Sequence, residues 1–157
     1  EMEVLSPRNE EGMFKGKMLV VPCGCPFLDG EEEKVLESIR TRGGTVLRPK
    51  DDADEVAGYD VSFVVLPVFC DRSLAFWTAK APTITPFYLS ICFSTNFLLP
   101  QEERSLFCPC FRPENSTLLA GHSVCITGYA VDGIDKWKRD SVMKEITILG
   151  GKSTPVF

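Results

Sequence analysis

Histidine is almost absent from this chain of 157 residues, which contains one, and basic residues are outnumbered, with 17 Lys and Arg against 22 Asp and Glu. A single histidine leaves little scope for general acid–base catalysis, and no hydrolase or kinase motif surrounds it. The net charge of −5 provides no overall attraction to nucleic-acid phosphates, although a local basic patch stays open. No apolar run reaches the ~18–20 residues of a membrane helix, because polar residues interrupt the best candidate, Phe87–Leu99. We therefore expect neither an enzyme nor a membrane protein.

The rest of the composition, 44% hydrophobic and 25% charged, is that of a folded globular protein. Seven cysteines are an odd number, and Glu1 opens no basic and apolar signal segment, so we expect a reducing compartment. Cys23 and Cys25 are separated by one residue, as are Cys108 and Cys110. Paired zinc ligands are usually separated by about two to four residues. We therefore expect no metal ion, and no motif implies a cofactor.

Short apolar runs alternate with helical segments over the first hundred residues. Strands are predicted at 17–21, 45–47, 61–66 and 82–85, and helices at 29–42, 73–80 and from Pro86 onward. Asp29 is the candidate N-cap of the first helix, and Gly43-Gly44 ends it, because glycine readily adopts the left-handed conformation. Strands connected through helices form a parallel sheet with helices on both faces. The fold class is therefore α/β.

The pattern begins again near residue 119. The segment 119–128 mirrors 14–23, and an amphipathic helix at 139–149 is again followed by a double glycine, Gly150-Gly151. Two landmarks at nearly one offset indicate an internal repeat. We predict a flexible lead-in at 1–13, a complete domain at 14–107, a linker at 108–117 and a partial β-α-β second copy at 118–157.

These landmarks resemble tandem BRCT domains. In the first copy they are the Gly16-Lys17 strand entry, the Arg42–Val46 corner, the Ile84–Leu89 helix entry and the Leu98–Glu103 helix exit. In the second copy they are Gly121, Thr127-Gly128 and Leu149–Gly151. The family usually has a tryptophan on its last helix, and Tyr88 stands at that position here. The resemblance implies a three-layer fold with a central four-stranded parallel sheet flanked by helices, followed by a partial second repeat.

The resemblance also implies a site. Phosphopeptide-binding BRCT domains hold phosphate with a Ser or Thr and a Gly after the first strand, and with a Lys early in the second helix. In the first copy Pro22 and Cys23 align with the Ser/Thr and the Gly, and a slip of one residue puts Cys23-Gly24 there. Arg72 is the candidate cation of that copy and Lys80 its substitute. Proline has no N–H to donate, which weakens this first pocket.

The second copy keeps the hydroxyl and the glycine, as Thr127-Gly128, and Lys136, Lys138 and Arg139 follow closely. Hydroxyl and N–H donors beside cations form charge-assisted hydrogen bonds to a phosphate dianion. The site prediction therefore comprises Thr127 and Gly128 with the nearby basic residues. A plain strand-ending turn is the alternative interpretation of this dipeptide.

From this resemblance we predict a non-catalytic scaffold that recognises phosphorylated Ser/Thr segments of a partner in a nuclear complex. DNA damage response, DNA repair, replication and chromosome segregation are all compatible settings. The alternatives are a protein-docking module that needs no phosphate, and a module that contacts DNA or chromatin through the basic residues 136–139.

Overall fold

The computed structural model describes residues 2–50, 53–112, 117–128 and 136–154. The strands are β1 (Glu3–Leu5), β2 (Met18–Val20), β3 (Thr45–Arg48), β4 (Val61–Val65), β5 (Phe69–Asp71), β6 (Thr83–Ile84), β7 (Cys110–Arg112), β8 (Ser123–Cys125) and β9 (Lys152–Thr154). The α-helices are α1 (Glu31–Thr41), α2 (Pro86–Thr95) and α3 (Lys136–Ile148). Short 3-10 helices cover Ala53–Val56, Arg72–Ala79, Gln101–Glu103 and Ser105–Phe107.

The central sheet has five strands in the order β1-β3-β2-β4-β6. Four strands of this sheet, β2, β3, β4 and β6, are parallel to one another. This confirms the predicted central parallel sheet. The fifth strand, β1, pairs antiparallel with β3 and lies within the segment 1–13 that was expected to be a flexible lead-in. Leu5 packs against the core, and the Arg40 side chain donates to the Ser6 carbonyl at 2.9 Å. This part of the lead-in is therefore an edge of the sheet.

Successive side chains along each strand point to opposite faces of the sheet, and both faces are apolar. Helical segments cover each face, so the fold has three layers. Leu19 and Val21 point to the face that packs against α1 and α2. Val20 points to the opposite face, where Trp77 of the 3-10 helix Arg72–Ala79 is buried. On α1 the N-cap is Gly30 and not Asp29, because the chain enters the helix through a left-handed residue with φ of 71°.

The start of α2 is organised by Thr85. Its hydroxyl oxygen accepts from the Tyr88 amide at 3.2 Å, and its hydroxyl donates to the Leu106 carbonyl at 2.6 Å. Pro86 occupies the first turn, where no amide donor is needed. Tyr88 is buried, its hydroxyl donates to the Leu99 carbonyl at 2.8 Å, and burial raises the pKa of the phenol. The aromatic ring on this helix therefore anchors α2 on the sheet.

The corner after α1 recurs after α3 with the same hydrogen bonds. In the first copy three backbone bonds define it: Phe14 N–H to Arg42 O (2.9 Å), Gly44 N–H to Ile39 O (3.0 Å) and Thr45 N–H to Lys17 O (3.0 Å). In the second they are Leu119 N–H to Leu149 O (2.9 Å), Gly151 N–H to Ile146 O (2.8 Å) and Lys152 N–H to His122 O (2.9 Å). The two copies of the sequence repeat thus share the same backbone hydrogen bonds at this corner.

The second copy does not extend the central sheet. Strands β8 and β9 form a parallel pair of their own. Strand β7, within the segment expected to be a linker, pairs in parallel with β5, and the Cys110 amide donates to the Val68 carbonyl at 2.7 Å. Lys144 and Glu145 of α3 line a small cavity of about 20 Å³ together with Val68 and other residues of the first unit. The second copy therefore packs on the first, and the exact domain boundaries stay a prediction.

Candidate functional site

The loop after β2 is the first candidate phosphate site, and Cys23, one of its donors, is already engaged. Pro22 is buried, and the Cys23 amide donates to the Pro49 carbonyl at 2.8 Å. The Cys23 thiol lies 3.8 Å from the Arg48 carbonyl, within hydrogen-bonding distance for sulfur. Gly24 is exposed with φ of 75°. Gly24 therefore has an exposed backbone, whereas the Cys23 amide is already bonded within the fold.

The two candidate cations of the first copy lie at opposite ends of the 3-10 helix Arg72–Ala79. Eight residues at about 2.0 Å each separate Arg72 from Lys80 by roughly 16 Å along the axis. Leu74, near the start of this helix, shares an apolar cluster with Cys25 of the β2 loop. Arg72 is exposed, whereas Lys80 forms an ion pair with Asp54 at 3.4 Å. Arg72 is thus an exposed cation, whereas Lys80 is directed to Asp54.

Beside the same loop lies an ion pair that sequence reasoning missed. Arg48 at the end of β3 donates to the Glu32 carboxylate on α1 at 2.8 Å, and both side chains are largely buried. Burial, and secondarily the charge of Glu32, raise the pKa of the neighbouring Cys25 thiol to about 12, while Arg48 acts in the opposite direction. The Arg48 guanidinium beside the loop is therefore neutralised within the fold. No local pattern signals this pair, since the acidic run at Glu31–Glu33 indicates only a helix start.

The loop after β8 is the second candidate site and has different surroundings. Thr127 and Gly128 are both exposed, and Gly128 has φ of 85°, which places this turn in the left-handed region. Lys136 and Lys138 belong to the first turn of α3. The structure describes the backbone of these two lysines and not their side chains. The exposed hydroxyl and the start of a helix thus belong to the same β-α unit, in which the strand precedes the helix.

Metal sites and membrane-spanning helices are absent from the described residues. Among the described residues, no three His, Cys, Asp or Glu side chains form a group able to hold a metal ion. None of the helices in the described ranges is long and apolar enough to cross a bilayer. His122, the single histidine, is exposed on the entry to β8, and its Nδ1 lies 3.1 Å from the Ala120 carbonyl oxygen.

Comparisons with known proteins are limited to structure. No family model and no curated protein matches the sequence. The crystal structure of S. pombe Rad4 BRCT3,4 matches with a TM-score of 0.57 and 20% identity, over 92% of this chain and 69% of the Rad4 chain. Yeast Rtt107, in structures described as Rtt107 and Mms22 and as Rtt107 and Slx4, matches with a TM-score of 0.62 and 16% identity over 94% of this chain. This chain spans about a third of the Rtt107 chains, 32% and 31%.

Proposed function

Because the chain has the BRCT fold, we propose that it is a non-catalytic protein-interaction scaffold that binds phosphorylated Ser/Thr segments of partner proteins. The Rtt107 structures, described as Rtt107 together with Mms22 or Slx4, support the choice of a protein as the partner. A nuclear location and a role in DNA repair or chromosome maintenance belong to this proposal.

The observation that carries phosphate recognition is the contrast between the two strand-end loops. They occupy corresponding positions in the repeat, yet the first has the buried Pro22 and a Cys23 amide bonded to Pro49. The second has an exposed threonine hydroxyl followed by an exposed glycine. A hydroxyl, an accessible backbone and the positive end of a helix are each favourable to a phosphate dianion. We infer that Thr127 and Gly128 contact the phosphate.

The basic residues complete the proposed site. Lys136 and Lys138 lie in the first turn of α3, and the chain has a net charge of −5. A local cluster of cations within an acidic chain attracts a dianion more than it attracts the long polyanion of a nucleic acid, which is repelled by the remaining surface. In this proposal the first copy makes a secondary contact with the partner at most. The residues available for it are Cys23, Gly24, Arg72 and Lys80.

The test is a fluorescence-polarisation titration of the full chain with libraries of phosphorylated peptides and their unphosphorylated counterparts. We expect phosphorylated binders to be at least about tenfold tighter, a difference of about 1.4 kcal/mol. Thr127→Val should remove the difference and Thr127→Ser should retain it, because serine keeps the hydroxyl. Thr117→Val is the matched control, since Thr117 is another exposed threonine of the second copy. Equal affinity for both peptide sets would exclude phosphate reading.

A phosphate-independent docking module is the second candidate, and the β2 loop favours it. Its amide donor is already bonded and its nearest guanidinium is already neutralised by Glu32. If this candidate is right, a natural partner binds equally well before and after phosphatase treatment. Thr127→Ala then leaves the affinity unchanged.

A further inference from the structure

A groove of about 270 Å³ separates α1 from α2 on the outer face of the first unit. Its floor is formed by Val35 and Leu89, which are 5% and 1% exposed. Phe93 lines the groove on the α2 side, and Ser38 and Ser90 contribute hydroxyl groups. Engineered cavities of about 150 Å³ accommodate a benzene molecule. The groove is therefore large enough for one large side chain or two of moderate size.

Contacts within the first unit fix the α2 wall of the groove. The ring of Phe93 packs edge-on against Phe14, with centroids 6.0 Å apart and an interplanar angle of 84°. The Arg42 guanidinium lies 3.9 Å from the centroid of the Phe93 ring. Contacts to a neighbouring ring and to a cation hold Phe93 in one orientation. A peptide segment that binds in the groove therefore contacts a rigid surface. Little of its binding free energy is spent on reorganising Phe93.

One end of the groove is acidic. Asp29 and Glu31 line it together with Lys34, so two carboxylates face one ammonium group. The Glu31 carboxylate accepts from the Leu28 amide at 3.2 Å. Burial raises the pKa of Glu31, while the bond from Leu28 and the charge of Lys34 act in the opposite direction. The groove thus has an apolar floor beside an incompletely compensated, partly desolvated negative charge.

We propose that this groove binds an unphosphorylated segment of a partner protein that carries a large apolar side chain and, about one helical turn away, an arginine. Glu31 and Val35 are four residues apart on α1, so their side chains lie roughly 5–6 Å apart on one face. A partner with its apolar and basic residues at i and i+3 or i+4 matches this spacing. Arginine fits better than lysine because its planar guanidinium is weakly hydrated and donates two parallel hydrogen bonds to a carboxylate.

This interaction is separate from the proposed phosphate site. It uses α1 and α2 of the first unit and needs neither a phosphate nor Thr127. A chain with both surfaces can therefore bind two segments of one partner, or two different partners.

The probes are synthetic unphosphorylated peptides with leucine and arginine three or four residues apart in otherwise neutral sequences. A matched set replaces arginine by citrulline, which is similar in shape and uncharged. Binding to the isotope-labelled full chain is followed by shifts of the backbone amide resonances. We expect the arginine peptides to perturb α1 and α2 and to bind about tenfold more tightly than the citrulline set, because citrulline lacks the charge that strengthens hydrogen bonds to a carboxylate.

Two pairs of variants localise the effect. Glu31→Gln should bring the arginine affinity down to the citrulline level, whereas Glu33→Gln, an exposed residue on the same turn, should not. Ser90→Trp should fill the groove and abolish binding of both sets, whereas Ser94→Trp, at an exposed position on the same helix, should not. Circular dichroism establishes that each variant is folded, and binding by the Thr127→Val variant should be unchanged.

Several outcomes would overturn the proposal. These are an absence of binding by every peptide, equal affinities for the arginine and citrulline sets, and unchanged discrimination in Glu31→Gln. A second copy of the chain would be the occupant instead if sedimentation shows a dimer that Ser90→Trp dissociates. Failure of phosphopeptide binding alone would overturn the proposed function and leave the groove proposal standing.

Discussion

The amide of Gly151 donates to the carbonyl of Ile146 at 2.8 Å, five residues earlier in the chain. Gly44 and Ile39 form the equivalent bond at 3.0 Å in the first copy. In both places the glycine lets the chain turn tightly from a helix into the next strand. A Cβ added to Gly44 would lie 2.5 Å from Ile39 Cγ2, and one added to Gly151 would lie 3.0 Å from Ile146 Cγ2. The two corners share a hydrogen-bond pattern, but the space around the glycine is smaller at Gly44 than at Gly151.

Gly44→Ala is therefore expected to destabilise the chain by about 1–3 kcal/mol, because the corner has to open to relieve the overlap. Gly151→Ala should cost less, since its contacts of 3.0 Å need a smaller displacement. Urea denaturation followed by circular dichroism measures both. Gly24→Ala is the control for backbone conformation alone, because a Cβ there meets nothing within 4 Å while φ is 75°. Equal costs for Gly44→Ala and Gly151→Ala would contradict this interpretation.

The buried pair of Arg48 and Glu32 supports the second stability prediction. Glu32→Gln leaves the guanidinium, whose Nε already has no hydrogen-bond partner in the described residues, without its counter-ion in a buried site. We expect a loss of about 1–3 kcal/mol, somewhat below the cost of breaking a fully buried pair because Glu32 is partly exposed. Glu33→Gln, on the exposed side of the same turn, should change stability by less than about 0.5 kcal/mol. Similar losses in the two variants would argue against an energetic role for the pair.

Cysteine reactivity tests the environment of the β2 loop. Burial and Glu32 raise the pKa of Cys25 to about 12, and the thiolate is the reactive form. At pH 8 only about one Cys25 in ten thousand is then ionised in the folded protein. We expect iodoacetamide to modify the exposed Cys108 and Cys110 well before Cys25, as measured by mass spectrometry of proteolytic fragments. Unfolding in urea should abolish the difference. Rapid modification of Cys25 in the folded chain would disprove the burial effect.

Glu31 should make stability depend on pH in a defined direction. Its folded-state pKa is raised by burial, so the protonated form favours folding. That contribution is complete below the usual pKa of about 4.3 and is lost as pH rises through the folded-state value. Glu31→Gln should accordingly match the parent protein at acidic pH and be more stable than it at neutral pH.

Thermal unfolding at a series of pH values measures this difference. Glu33→Gln should produce no comparable gain at neutral pH, because that side chain is exposed. A Glu31→Gln variant that is less stable than the parent protein at neutral pH would show that the carboxylate is stabilised where it lies.

Much of the fold was predictable because its signals are local. Pro86 begins a helix in the sequence prediction and in the structure, since its fixed φ acts within one turn, whereas the Thr85 cap appears only in the structure. Gly43 has φ of 85°, a conformation that glycine adopts without the Cβ clash that other residues meet. The short runs at β2, β3 and β4 form parallel strands because their apolar residues are covered on both faces.

Other features could not be predicted because they join distant segments. Glu3–Leu5 reads as a polar lead-in, and it becomes a strand only where the edge of β3 is available to it. The pairing of β7 with β5 joins residues about forty positions apart in the chain. Closing a loop of that length costs conformational entropy, and no local sequence pattern shows that the pairing offsets this cost. Glu32 and Arg48 each resemble a surface charge until α1 is placed over the sheet.

The sequence by itself determined the parallel α/β core, the repeated double-glycine corner and the identity of Thr127-Gly128 as the more intact of two strand-end loops. The core follows from the spacing of apolar residues, the corner from the backbone conformations that glycine allows, and the loop from the hydrogen-bond donors that its residues carry. All three are properties of the residues themselves. Only the tertiary structure decided that Arg48 is neutralised by Glu32, that Lys80 is directed to Asp54 and that α1 and α2 enclose a groove. These are outcomes of packing, because the burial of a charge or of an apolar floor exists only once separate elements meet.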